Sequence, residues 1–225
     1  MRRLYILRPE PGASETVEQA RALGIDALAM PLFEVEPLEW EAPDSGNFDA
    51  LLLTSANAVR HGGEQLHGLR GVPVHAVGEA TAEAAREAGF DIASTGDTGV
   101  ERLLASIKTD LRLLHLCGEH RTAVEAKRHI TQIPVYRSAE LPVPRNFPAV
   151  ADQAIAIHSP RAGRRLGELV NEARIARSTV RIAAISQTAA SAAGDGWQTC
   201  EAAERPDSMS LLALAARLCD KPDPE

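Results

Sequence analysis

An α/β fold of two similar lobes, each a parallel sheet covered by helices, is what this sequence predicts, and three observations carry the prediction. Short, continuous apolar runs alternate with amphipathic stretches along the whole chain, as strands buried on both faces and separated by helices do. The alternation also repeats. "FDALLLTSANAVR" (48–60) and "DQAIAIHSPRAGRRLGEL" (152–169) each run from an apolar strand, through a serine at its tip, into a helix. Two segments, "MPLFEVEP" (30–37) and "IPVYRSAELP" (133–142), break the rhythm with extended sequence rich in proline and β-branched residues.

The expected strands are 4–7, 50–54, 73–77, 91–94, 112–117, 154–158, 181–185 and 198–202, each a short apolar or alternating run. Helices are expected between them at 14–23, 57–67, 80–88, 99–108, 121–130, 161–174, 188–194 and 208–219. The repeat extends beyond the serine-tipped units. "VPVHAVGEATAEAAREAGFDIAS" (72–94) and "VRIAAISQTAASAAGDGWQTCEA" (180–202) both read strand, small polar turn, Ala-rich helix, Gly, strand, so two copies of one supersecondary arrangement follow. The extended segments bracket one copy, as if the chain leaves the first lobe, builds the second and returns. The first lobe is then discontinuous, 1–32 with 140–225, and the second is 38–132. Residues 33–37 and 133–139 become linker strands able to pair as a two-stranded β linker, with a cleft between the lobes.

Composition narrows the function. The 225 residues are 44% hydrophobic, enough for a real core, yet only 4% aromatic, so that core must be built from Ala, Leu, Val and Ile. A net charge of −7 speaks against a general nucleic-acid binder. Three cysteines, Cys117, Cys200 and Cys219, in a chain this size fit a reduced cytoplasmic setting better than a disulfide framework. The opening "MRRLYILRPEPG" has too short an apolar run for a secretory signal, and no run approaches the ~18 residues of a membrane span. No GxxxxGK[ST] or GxGxxG phosphate loop occurs. In "HLCGEH", His115, Cys117 and His120 do not make a tetrahedral metal set, so no metal is expected.

Seven motifs occur in order: "RPE" after the first strand, "PLFEVEP", "LLLTSANAV", "AVGEATAEAAREAGF", "VYRSAELP", "HSPRAG" and "ERPDSMSLLALAARL". Together they resemble the uroporphyrinogen-III synthase family across nearly the whole chain. The resemblance implies two flavodoxin-like lobes joined by a β ladder. It implies a lyase, a cytoplasmic monomer, that cyclises hydroxymethylbilane to uroporphyrinogen III with loss of water and inversion of ring D. It implies no metal or organic cofactor and a small-molecule partner, with neither nucleic acid nor membrane.

A linear tetrapyrrole with acetate and propionate arms presents carboxylates, and helix N-termini offer unpaired N–H groups and a positive partial charge to receive them. Candidate contacts are Thr54, Ser55 and Asn57 at one helix start, Gly78 and Thr81 at the next, Ser159 at a third and Thr188 at a fourth. Ordinary N-capping explains each hydroxyl equally well by itself. Arg8 is a further candidate, with a surface ion pair to Glu10 or Glu15 as the alternative. Gly118 and Arg121 match the family's glycine–arginine turn before a helix. The family places a tyrosine at Tyr136, where a phenol can assist departure of the substrate hydroxyl; packing of the linker strand is the plainer role.

Two departures stand out. "ISQTAAS" replaces a Gly-Pro-Thr-Thr-like turn at Ser186, Gln187 and Ala189, and His61-Gly62-Gly63 interrupts the helix after "TSANAV". The first leaves room for a non-catalytic tetrapyrrole- or carboxylate-binding sensor of the same fold. A two-lobed solute-binding protein is a second rival, opposed by the absence of an export signal.

Overall fold

Strand β1 (Leu4–Ile6) leads through helix α1 (Gly12–Ala22) to β2 (Ala27–Ala29), and the chain then crosses on β3 (Phe33–Pro37). The computed structural model describes residues 1–96, 99–120 and 129–220. Next come β4 (Ala50–Leu53), α2 (Ala56–Arg60), β5 (Val74–Val77), α3 (Glu79–Glu87), β6 (Ile92–Gly96), α4 (Val100–Ser106) and β7 (Leu113–Gly118). The eleven-residue β8 (Ile130–Glu140) returns the chain to β9 (Ala154–Ile157), α5 (Pro160–Glu172), β10 (Arg181–Ala184), α6 (Gln187–Ala193), β11 (Thr199–Ala202) and α7 (Ser208–Cys219). Two compact units result: Met1–Glu34 with Glu140–Glu225, and Val35–Ala139.

The discontinuous unit carries a five-stranded parallel sheet in the order β11-β10-β9-β1-β2. Its strands show why the apolar runs are unbroken. Tyr5, Leu7, Ile155 and Ile157 pack on one face with Ala162 and Leu166 of α5 and Ala189 of α6. Leu4, Ile6, Ala154 and Ala156 pack on the other with Ala13 and Val17 of α1 and Leu211 and Leu214 of α7. Alternate residues feed opposite cores, so both sets must be apolar. α5 and α6 approach closely because Gly163 has no side chain; a Cβ there would lie 2.8 Å from the Ala189 carbonyl oxygen.

The continuous unit has the sheet order β3-β8-β7-β4-β5-β6. Leu51 and Leu53 face Ala58 of α2 and Ala82 and Ala85 of α3. Ala50 and Leu52 face Leu103 and Leu104 of α4. β8 runs parallel to β7. On its other side, the Leu38 N–H donates to the Val135 carbonyl and the Leu141 N–H to the Leu32 carbonyl, an antiparallel sense. The extended segments thus form adjacent strands, and β8 is also a full member of this unit's sheet.

Some expectations need correction. The helix expected over 57–67 ends at Arg60, and a 3-10 turn, Glu64–Leu69, replaces its second half. Gly63 takes φ +67°, a conformation that breaks a helix. β2 was not expected: its Ala-Leu-Ala carries no β-branched signal, and only pairing with β1 makes it a strand. The helix expected over 121–130 falls mostly outside the described residues, as does Arg121.

Candidate functional site

In open parallel sheets ligands bind beyond the carboxyl ends of the strands, where the chain order reverses on either side of a gap. Each unit has such a point. In the continuous unit it lies between β4 and β7, since β5 and β6 continue to one side and β8 to the other. In the discontinuous unit it lies between β1, whose next strand is β2 on the far side, and β9, followed outward by β10 and β11. Most of the residues singled out from sequence sit at one or the other.

At the β4/β7 point, Ser55 is the N-cap of α2 and its hydroxyl accepts from the Asn57 N–H at 3.2 Å. Thr54 Oγ1 lies 3.1 Å from His115 Nε2, which ties the tip of β4 to the middle of β7 and gives His115 a structural partner. Gly118 ends β7. The register between β7 and β8 slips at Cys117/Gly118, bringing Tyr136 beside Gly118, and the Glu119 N–H donates to the Tyr136 carbonyl at 2.9 Å. Bulges of this sort re-aim a side chain. Here the phenol lies over the glycine: a Cβ on Gly118 would stand 2.9 Å from Tyr136 Cζ and 3.1 Å from its hydroxyl. The His61 ring is tilted against the tyrosine ring with centroids 6.4 Å apart, and His61 also lines a groove of ≈ 570 Å³ with Trp40 and Gln65.

Tyr136 is half-buried, and burial raises its pKa above the ordinary phenol value, partly offset by the nearby Ser55 side chain. It therefore stays a protonated phenol at neutral pH, a donor held beside a serine that already caps a helix. Burial, with Arg60 nearby, lowers the pKa of His61. Asn57, Gly78 and Thr81 are less concentrated. Gly78 opens α3 with φ +82°, whereas Thr81 is buried in the first turn of that helix.

At the β1/β9 point, Ser159 caps α5, accepting from the Ala162 N–H at 3.1 Å. Arg8 follows β1. Its guanidinium lies over Gly12, where a Cβ would come within 2.5 Å, and Nη1 reaches Thr16 Oγ1 at 3.4 Å. The alternative partner Glu10 is engaged elsewhere, accepting from the Ser14 N–H and hydroxyl. No ion pair to Arg8 occurs among the described residues. Thr188 does not open the fourth helix. Ser186 does, accepting from the Ala189 N–H at 3.3 Å, while Thr188 is exposed one residue into α6. The departure at Ser186-Gln187 thus retains a hydroxyl N-cap.

Sequence reasoning passed over His158, at the tip of β9. Both its ring nitrogens are shielded from solvent, and neither has a hydrogen-bond partner among the described residues. Burial, reinforced by Arg8, lowers its pKa to about 3. Also among the described residues, no cluster of His, Cys, Asp and Glu is arranged to hold a metal, and no helix is long and apolar enough to cross a membrane.

Comparison with known proteins agrees with this architecture. Uroporphyrinogen-III synthetase from Helicobacter pylori superposes with a TM-score of 0.66 at 19% identity, over 97% of this chain and 100% of that one. A mutant uroporphyrinogen III synthase from Thermus thermophilus gives 0.55 at 18% identity, over 97% and 98%. At such identities the likeness is one of fold. No curated protein sequence matches. The family model for uroporphyrinogen-III synthase HemD, however, matches residues 14–213, and the chain belongs to the uroporphyrinogen-III synthase family.

Proposed function

We propose that this protein is a lyase that cyclises hydroxymethylbilane to uroporphyrinogen III, losing one water and inverting ring D. Family membership supports the reaction class, and one observation supports the assignment of chemistry: a protonated phenol, Tyr136, held over Gly118 beside the Ser55 hydroxyl at a strand-order reversal. The hydroxymethyl carbon–oxygen bond breaks with help from the adjacent pyrrole nitrogen. Tyr136 supplies the proton that lets the oxygen leave as water. The resulting azafulvene is attacked by the substituted α-carbon of ring D, and rearrangement through a spiro intermediate inverts that ring. A proton lost from the closing ring balances the one donated, so the net change is loss of water.

Steering closure is the harder part, because the free substrate closes without inversion to the type I isomer. That is a matter of orientation. In this reading the substrate carboxylates are received by Arg8 and by the hydroxyl-and-amide ends of α2, α3, α5 and α6, with Thr54, Ser55, Asn57, Gly78 and Ser159 as contacts. Neutral seats of this kind accept carboxylates despite the net charge of −7. The test is to supply hydroxymethylbilane without added metal or nucleotide and identify the isomer formed. Type III in excess of type I supports the enzyme; type I alone at every protein concentration leaves a sensor of the same fold.

A further inference from the structure

The His61-Gly62-Gly63 turn, which cuts short the helix expected after "TSANAV", sets a ring against the phenol to which the chemistry is assigned. The His61 N–H donates to the Asn57 carbonyl at 3.0 Å and closes the last turn of α2. The chain then folds back tightly. A Cβ on Gly62 would lie 2.6 Å from the Ala58 carbonyl oxygen and 2.8 Å from the Leu66 side chain, so any larger residue would have to displace the α2 backbone. Gly63 completes the reversal at φ +67°. Trp40, on the segment after β3, donates its indole N–H to the Gly62 carbonyl at 2.9 Å and pins the turn in place. Glycines that spoil a helix here serve to fix one side chain.

That side chain stands where two spaces meet. The His61 ring is tilted 40° to the Tyr136 ring with centroids 6.4 Å apart, within the range of packed aromatic pairs. It also lines the groove of ≈ 570 Å³ with Trp40, Gln65, Glu39 and Glu41, and Tyr136 is not part of that lining. Exposed carboxylates on its wall make the groove a place for water. On β7, Gly118 bounds another part of the phenol, where a Cβ would meet Cε2 and Cζ at 2.9 Å. A glycine gives the ring room, and a ring with room needs a second wall to hold it. Burial and Arg60 keep His61 below the ordinary imidazole pKa, so at neutral pH that wall is uncharged. The other ionisable group acting on Tyr136 is Cys117 of β7.

We propose that His61 is a positioning residue for the reaction: its ring is the wall that holds the Tyr136 phenol over Gly118 and closes it off from the groove. This rests on the synthase reading given above. In this role His61 touches no reacting atom and exchanges no proton. It keeps the phenol from swinging toward the groove and keeps groove water from competing for the hydroxyl. The shape of the ring matters and its nitrogens do not.

The test uses the full-length protein with hydroxymethylbilane, and reads the phenol directly by the ultraviolet absorbance of its phenolate. The chain has two tyrosines, so subtracting the titration of Tyr136→Phe leaves that of Tyr136. His61→Ala opens the phenol to the groove. The Tyr136 titration should then move down toward the ordinary value near 10. The kcat for type III formation should drop ~ten- to hundredfold, as for about 1 Å of misplacement at a reacting group, with KM little changed. His61→Phe rebuilds the wall without the nitrogens and should restore most of both. Trp40→Phe removes the N–H that pins the turn and should shift both readouts the same way by less. In a Tyr136→Phe background, His61→Ala should cost nothing further. Thermal melts check that each variant is folded. A His61→Ala protein with the wild-type Tyr136 titration and kcat overturns the proposal and leaves the synthase reading intact, as does an equal loss in the Tyr136→Phe background. Failure of His61→Phe to restore kcat overturns it too, since the imidazole itself would then be needed. Type I product alone from the wild type overturns the synthase reading and this role with it.

Discussion

Replacing Gly118 with alanine tests the phenol's role without touching the phenol. The added Cβ would sit 2.9 Å from both Cε2 and Cζ of Tyr136 and 3.1 Å from its hydroxyl. Carbon atoms pack comfortably at about 3.5–4.0 Å, so the ring must withdraw by roughly 0.6–1 Å. Misplacing a reacting group by about 1 Å costs on the order of 10²-fold in rate, and Gly118→Ala is expected to slow type III formation by ten- to a hundredfold. Stability should change little. The backbone at Gly118 is not in the left-handed region, so alanine gains about 0.4–1 kcal/mol through the unfolded chain, which offsets part of the strain of moving the ring. The measurement is the initial rate of uroporphyrinogen III formation with the I:III ratio, alongside a thermal melt. The same substitution is then made in a Tyr136→Phe background, where there is no hydroxyl to misplace and no further loss should appear. Wild-type rates for Gly118→Ala, or an equal loss in both backgrounds, would refute the argument that the glycine exists to position the phenol.

Tyr136→Phe alone should lower turnover by roughly 10²–10⁴-fold if the phenol donates the proton, while the melting temperature moves by only a few degrees; a near-tenfold loss would indicate orientation alone. The wild-type rate should show no alkaline limb from Tyr136 below about pH 10, because burial raises its pKa from the ordinary phenol value near 10. His158 makes a separate pH prediction. Its folded pKa, about 3, is far below the ordinary imidazole value of 6.5, so the unfolded chain binds the extra proton first. Its contribution to stability is intact above pH 6.5 and falls by about 1.4 kcal/mol per pH unit as the pH drops toward 3. Urea melts of His158→Gln should lack that part of the acid slope; an unchanged slope would show that His158 is not held neutral. Finally, Gly163→Val should destabilise by about 1–3 kcal/mol through overpacking against α6, read as a lower urea midpoint, given the 2.8 Å approach to the Ala189 carbonyl.

How far the site could be read from sequence depended on how local its cause was. Ser55 and Ser159 were visible because an N-cap needs only a hydroxyl and the helix that follows it. The same local logic went wrong at Thr188 by a small margin: the helix begins at Gln187, so Ser186 takes the cap. Tyr136 could be named from the family's pattern, but not its setting, because the slip at Cys117/Gly118 that lays the ring over a glycine belongs to the pairing of two strands. His158 was invisible for a stronger reason. It looks like the polar end of an apolar strand, and its lack of partners follows from β9 lying against β1, which is remote in sequence. The two sheets themselves were legible because alternate residues of each inner strand feed different cores, which forces unbroken apolar runs.

The placing of β1 between β2 and β9 has a consequence for biosynthesis. When β1 emerges from the ribosome, one of its two neighbours is still roughly 150 residues from being made, which at ordinary elongation rates means about 7–30 s of waiting. The other unit's strands are all made in that interval. Meanwhile Leu4-Tyr5-Ile6-Leu7 is a naked apolar segment with an unpaired edge, the kind that recruits other nascent chains. The segment is bracketed by Arg2-Arg3 on one side and Arg8-Pro9 on the other. Charges and a proline so placed act as gatekeepers against aggregation, giving Arg8 a task during synthesis that is over before any ligand arrives.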